Sequence, residues 1–412
     1  MPQLSEAFLL IARRAIALAV LGGVAGCGTG APDCLSSKDL ALPFPEVVQA
    51  LTSIADSSAR DTCAASLAQW LTDSNAAFKT DSSAILWYHG PAAQVFVAGD
   101  LNGWSPTATP LVRIPQTRLF WREIPLPAAA RLEYKLVVDG RWILDPANPS
   151  TVQGGFGENS ELRMPAYRPP EPLTGGHGAP AGRLDTLRFV SRLLHRTVQI
   201  YVYVPAASAD HRTPLPSLTV GDGGGYLWFT PMRLLLDHLI AQDRIPPLIG
   251  IFLESRSDNP SVDLRRSDYW MNQRFADFVA GELRDTLRHR YPISRNPEQT
   301  AIMGASLGGV LATYVTLKHP TVFGMFAAQS PAYWVSNDSI FSIVQESSLL
   351  PRKAYLDSGT MHDAQQEASR MRDTLTSRGC LMRYVEVPEG HNWANWGARL
   401  DTLLPFLFGD TP

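Results

Sequence analysis

Cysteine is scarce, with four in 412 residues. None stands with histidine at a spacing that holds zinc, so neither a metal nor another cofactor is expected. Charge is also sparse: 18% of residues are charged and the net charge is −3, with no basic run. This composition argues against a nucleic-acid or polyanion partner. No heptad array or fixed-period repeat is visible, which removes coiled coils and solenoids. No G-x-G-x-x-G opens a helix, and no lysine–serine pair follows a glycine turn, so no nucleotide loop is expected. The one apolar run near the N-terminus, Ala15–Leu21, is too short to span a bilayer as a mature helix.

That run has another use. Arg13 and Arg14 precede it and Gly22-Gly23-Val24-Ala25-Gly26-Cys27 follows, the layout of an export signal. Val24 to Cys27 resembles the lipobox of bacterial lipoproteins. The resemblance implies that residues 1–27 are a signal peptide and that Cys27 carries the lipid. Gly28 stands where that family's inner-membrane retention signal is an aspartate, so the implied location is the periplasmic face of a membrane or the cell surface, the outer membrane by preference. An exported chain meets an oxidising compartment. Cys34–Cys63 is the preferred disulfide, tying a small helical segment on itself, and Cys380 is left unpaired and buried.

A chain of this length exceeds one ordinary core, so two folded domains behind the leader are expected. In residues 28–83, helical spacing recurs near Pro45–Ala55 (Val47, Val48, Leu51, Ile54) and Asp61–Leu71 (Leu67, Trp70, Leu71), predicting a helical spacer. From Ala84 the period shortens to two and Asn-Gly and Asp-Gly turns appear, predicting an Ig-like β-sandwich over 84–166. There VFVAGDLNGW, LEYKLVVDGRWILDPANP and FGENSELRM resemble, in order, the glycogen-binding-type carbohydrate module found before isoamylase-like enzymes. The resemblance implies sugar contacts by Trp104, Lys135, Trp142 and Asn159; the same scaffold also serves elsewhere as a packing domain. Residues 167–184 are rich in proline and glycine and read as a linker that includes His177.

From 185 to 412, strand-like and helix-like runs alternate, predicting an α/β domain with a largely parallel sheet. Thr300–Pro320 is its most informative stretch. A short apolar run meets Gly304-Ala305-Ser306-Leu307-Gly308-Gly309, and an apolar helix pattern follows. Strand, sharp turn and helix with serine at the apex describe a nucleophile elbow. Ser306 is the candidate nucleophile and the Leu307 N–H a candidate oxyanion donor. Thr219–Tyr226 contains three consecutive glycines, of which Gly223 and Gly224 are the candidates for the second donor. A serine hydroxyl needs a base. His391 follows the last strand-like run in the loop before the terminal helix, the position of the base in the order Ser, acid, His. The acid follows the preceding strand-like run, KAYLD. Asp363 is favoured, Asp357 is the alternative, and Glu367 fits less well.

These stretches carry a second resemblance, over about 185–410: GDGGGYLWF, Arg265-Arg266-Ser267-Asp268-Tyr269-Trp270, the elbow, FGMFAAQSPAYWV and EGHNWANW. They resemble the putative-esterase family of enterochelin, feruloyl and acetylxylan esterases and antigen 85-type acyltransferases. The resemblance implies an α/β-hydrolase that cleaves carboxylic esters through an acyl-enzyme, with His391 as base and Trp393 and Trp396 beside it. Asn392 replaces the family's aspartate after the histidine. Arg265 and Asp268 are expected to form a structural pair near the pocket. The acid stands one residue beyond the family's position, which His362 occupies. Arg265, Arg266, Trp228, Tyr333, Trp334 and Trp393 are candidates to face substrate. The ester expected is a siderophore trilactone or a feruloyl or acetyl group on polysaccharide. Acyl transfer, and an inert carbohydrate-binding lipoprotein, are the remaining alternatives.

Overall fold

The structure is a computed structural model that describes residues 34–73, 79–170, 179–206, 213–255, 262 and 264–409. The signal segment, Cys27 and His177 lie outside the described residues. Among the described residues no helix is long and apolar enough to cross a membrane.

The chain forms two compact units that cut across the expected 84–166 boundary. The first contains residues up to Ala98, Pro106–Ala128 and Lys135–Pro149. The second contains Gly99–Ser105, Ala129–Tyr134 and everything from Ser150.

In the first unit the expected helices form at Phe44–Thr52 and Ser57–Asp73, and Cys34 is bonded to Cys63 as expected. They are not a free spacer. Val47, Leu51, Leu67 and Leu71 share one buried core with Ile85, Trp87 and Leu119 of the strands Ser83–His89 and Leu119–Pro125. Short antiparallel strands fill 83–163 in two sheets of three and six strands. Val95–Gly99 and Arg131–Val138 begin in one unit and end in the other.

The second unit carries an eight-stranded sheet: β1 (Arg183–Ser191), β2 (Arg196–Val204), β3 (Ser217–Val220), β4 (Ile249–Leu253), β5 (Thr300–Ala305), β6 (Met325–Gln329), β7 (Lys353–Gly359) and β8 (Leu381–Val387). Its order is β1-β2-β4-β3-β5-β6-β7-β8. β1, β2 and β4 pair antiparallel; every pair from β4–β3 onward is parallel. Strands β3 to β7 are buried along their whole length, because helices cover both faces of a parallel sheet. Parallel strands joined by right-handed crossovers bring their C-terminal ends to one edge, and the loops of interest leave from that edge. Cys380 is free and buried, and burial pushes its thiol up to about 12.

Candidate active site

Ser306 links β5 to the helix Leu307–Lys318 with φ 57° and ψ −119°. A non-glycine residue at positive φ is strained and needs the surroundings to hold it. Two backbone groups do so: Ser306 N–H donates to Gln329 O (2.8 Å), and Ser306 O accepts from Ala332 N–H (3.0 Å). Small neighbours are required for a second reason. A Cβ on Gly304 would lie 2.5 Å from the Gly308 carbonyl group. The Leu307 N–H, in the first turn of the helix, has no carbonyl one turn earlier to meet.

The base and acid expected from the sequence come together. His391 Nδ1 lies 2.6 Å from Asp363 Oδ1, with the Asp363 side chain fully buried and that of His391 31% exposed. The other oxygen, Oδ2, accepts from Ser330 Oγ and from Gly359 N–H, both at 2.6 Å. Burial alone pushes the Asp363 carboxyl up; its hydrogen bond to His391, the charge there and the Ser330 and Gly359 donors outweigh this and hold it below the ordinary range. A proton fixed on Nδ1 leaves the Nε2 lone pair free to accept one. His362, the residue before the acid, has a φ of 48°, and Asp363 reaches back to Gly359 N–H.

Asp357, the alternative acid, lies elsewhere. It is buried at the end of β7 and accepts from Gln329 Nε2 (2.8 Å), and burial raises it to about 7. Glu367 lines a cavity of about 420 Å³ with Tyr333, Trp334 and Arg370.

The GDGGGY stretch is a helix start rather than an open turn: Gly223–Phe229 is helical, after Asp222 at φ 53°. The amides of Gly223 and Gly224 therefore lie in a first turn with no intrahelical acceptor. Packing dictates the glycines as well, since a Cβ on Gly225 would fall 2.2 Å from the Trp393 ring.

Among the residues expected to face substrate, Trp228 and Trp334 are about half exposed, and Trp334 stands 6.3 Å from the His391 ring, centroid to centroid. Tyr333 is fully buried with its hydroxyl 2.6 Å from that of Thr313, so its polar end turns inward. Trp393 belongs to a ring cluster with Tyr226, Phe229 and Trp396. Arg265 does not pair with Asp268. It grips Asp222 through Nε and Nη2 at 2.7–2.9 Å, and Asp268 binds Arg196 instead. Sequence reasoning missed Asp222 and Ser330. The latter, in the quoted stretch AAQSPAYWV, also accepts from Trp396 Nε1 (3.0 Å). The four candidate sugar residues do not fall in one unit: Trp104 and Asn159 lie in the second and Lys135 and Trp142 in the first. Trp104 donates to Asp100 (3.2 Å) and Asn159 to Glu133 (2.8 Å), while Trp142 is 46% exposed.

Residues 191–407 match the family described as "Putative esterase". The chain is 26% identical over 295 residues to an iron(III) enterobactin esterase of Dickeya dadantii, covering 65% of this chain and 66% of that protein. It is 26% identical over 195 residues to the iron(III) enterobactin esterase of Escherichia coli K12 (47% and 46%). It is 28% identical over 162 residues to the uncharacterized protein YbbA of Bacillus subtilis (37% and 63%). The chain thus spans about half to two thirds of the curated relatives it matches. A crystal structure of ferric enterobactin esterase from Salmonella typhimurium superposes with a TM-score of 0.67 at 19% identity, over 79% of this chain and 93% of that one. This likeness shows the fold.

Proposed function

Starting from the fact that the chain belongs to the putative-esterase family, we propose that it is a serine esterase that hydrolyses carboxylic esters through an acyl-enzyme. The observation that carries this reading is the buried Asp363 carboxylate held 2.6 Å from His391 Nδ1, its other oxygen bonded to Ser330, the residue after the Gln329 carbonyl that holds the N–H of the Ser306 elbow.

In this reading His391 Nε2 takes the Ser306 hydroxyl proton as Oγ attacks the ester carbonyl. Asp363 fixes the Nδ1 tautomer and stabilises the imidazolium. The Leu307 N–H and the first-turn amides at Gly223 and Gly224 receive the oxyanion, and each such donor is worth about 3 kcal/mol in the transition state. The proton on His391 then passes to the leaving alkoxide. Water, deprotonated by the same nitrogen, attacks the acyl carbon and releases the acid and the free serine.

The substrate class we favour is an aryl-bearing lactone or ester of the siderophore type. The support is that two relatives are named iron(III) enterobactin esterases, and that the half-exposed Trp334 beside His391 offers an aromatic face. Comparing hydrolysis of ferric enterobactin, methyl ferulate and acetylated xylan tests this choice. Fastest turnover of the trilactone is expected; preference for acetylated xylan would overturn the substrate class and leave the esterase reading intact. The anchor at Cys27 stays a proposal, tested by [³H]palmitate incorporation in wild type and Cys27→Ala.

A further inference from the structure

The loop that carries His391 is held from both sides by residues that precede the family match by more than half a domain. Arg131 N–H donates to Pro388 O (3.1 Å), and Arg131 Nη1 donates to Asn392 Oδ1 (3.1 Å). Asn392 Nδ2 in turn donates to Asp100 Oδ2 (2.8 Å). Asp100 is itself fixed, since Oδ2 also accepts from Glu133 N–H (2.8 Å) and Oδ1 from Trp104 Nε1 (3.2 Å). Between these contacts Gly390 lies flat against the carboxylate: a Cβ there would sit 2.1 Å from Asp100 Cγ. Arg131 is anchored by Glu161 (2.6 Å) and Glu133 (3.2 Å) and is 1% exposed.

We propose that Asp100 and Arg131 are positioning residues for His391. They clamp Pro388 and Asn392 on either side of the imidazole, so that residues 99–105 and 129–134 belong to the catalytic apparatus and not to an appended sugar module. The proposal rests on His391 acting as the base. It also accounts for asparagine at 392. One side-chain end donates to Asp100 while the other accepts from the Arg131 guanidinium, and an amide does both without having to hold a proton. An aspartate there would set two carboxylates face to face at 2.8 Å. A buried polar network of this kind orients strongly when every member is satisfied and fails when one is not.

Isosteric variants test the clamp without emptying the core. Asn392→Asp is expected to lower kcat about 30-fold with KM within about twofold, a size typical of coupled buried partners. Asp100→Asn in the same chain supplies a donor toward residue 392 at the expense of the Glu133 N–H bond to that oxygen, and is expected to recover part of that loss. Asp100→Asn alone keeps an acceptor for Asn392 and loses less than Asn392→Asp. The downfield Nδ1 proton resonance of His391 reports placement without turnover: it is expected to shift or broaden in Asn392→Asp and to return in the double variant. Full kcat and an unmoved resonance in Asn392→Asp would overturn the clamp, as would failure of the double variant to recover either. If wild type and Ser306→Ala are equally inactive, the esterase reading fails, and the resonance still decides whether the clamp places the ring.

Discussion

Asp363 and His391 meet through a short bond between Oδ1 and Nδ1, while the second carboxylate oxygen is held by Ser330 and Gly359. The imidazole is thus oriented by an acid that cannot rotate away, because three groups fix it. An anionic acceptor makes each of these bonds stronger than a neutral one.

Replacing Asp363 by Asn offers the ring an amide in place of a carboxylate and loses the preferred tautomer. We expect kcat to fall by about 10³ to 10⁴, the scale of tautomer loss in other triads. Asp357→Asn, which alters a group bonded to Gln329 instead, is expected to stay within about fivefold of wild type. Steady-state kinetics on p-nitrophenyl acetate reads both, and the reverse ranking would reassign the acid.

Asp357 also makes a pH prediction. Its folded pKa is raised by burial to about 7, above an unfolded value near 4. Between about pH 4 and pH 7 the unfolded chain gives up this proton while the folded chain keeps it. The unfolded state then binds fewer protons, so this group's contribution to stability falls as pH rises, levelling off above about 7. Asp357→Asn should therefore gain on wild type, by up to about 4 kcal/mol, between pH 4 and 8 in urea titrations. A constant difference across that range would remove Asp357 as its source.

The Cys34–Cys63 bond closes a segment with a sequence separation of 29 in the first unit. Chain-entropy arguments give such a loop about 3–4 kcal/mol. Cys34→Ser/Cys63→Ser is expected to lower the unfolding transition by that amount. An unchanged transition would mean that the shared core with Ile85 and Trp87 suffices without the crosslink.

Much of this was legible in the sequence for identifiable reasons. The helix Leu307–Lys318 follows the elbow and the terminal helix Trp393–Phe408 follows the His391 loop, as expected, and the buried strands β5 and β6 carry the apolar runs Ala301–Met303 and Met325–Ala328. Strand β1 was not legible, because this edge strand mixes charged residues such as Arg183 and Arg188 with apolar ones that are only half-buried, Leu187 and Phe189. The helix at Gly223 defeats local propensity: three glycines disfavour helix, yet contacts from Phe252 and Trp393 leave no room for side chains. The Arg265–Asp222 pair joins residues 43 apart through the fold, whereas the family resemblance had set Arg265 with Asp268. The clamp on the His391 loop spans 261 and 292 residues, so no local pattern announces it.

That long-range grip makes Arg265 a further test. Its guanidinium satisfies both oxygens of a mostly buried Asp222 beside the Gly223 turn, with Ser255 Oγ as a further donor. Arg265→Met leaves that carboxylate short of donors and is expected to cost about 1–3 kcal/mol, with kcat falling alongside. Arg265→Lys, a point charge without the fork, should recover only part of either. Equal stability of all three in urea would show that the pair does not hold the turn.

Ser306 is proposed as a nucleophile activated by His391. Labelling the intact protein with a fluorophosphonate, followed by peptide mass mapping, tests it most directly. One adduct is expected, on Ser306, formed at least about 10³ times more slowly in His391→Ala. An adduct on another residue, or labelling of Ser306 at an undiminished rate without the histidine, would contradict it.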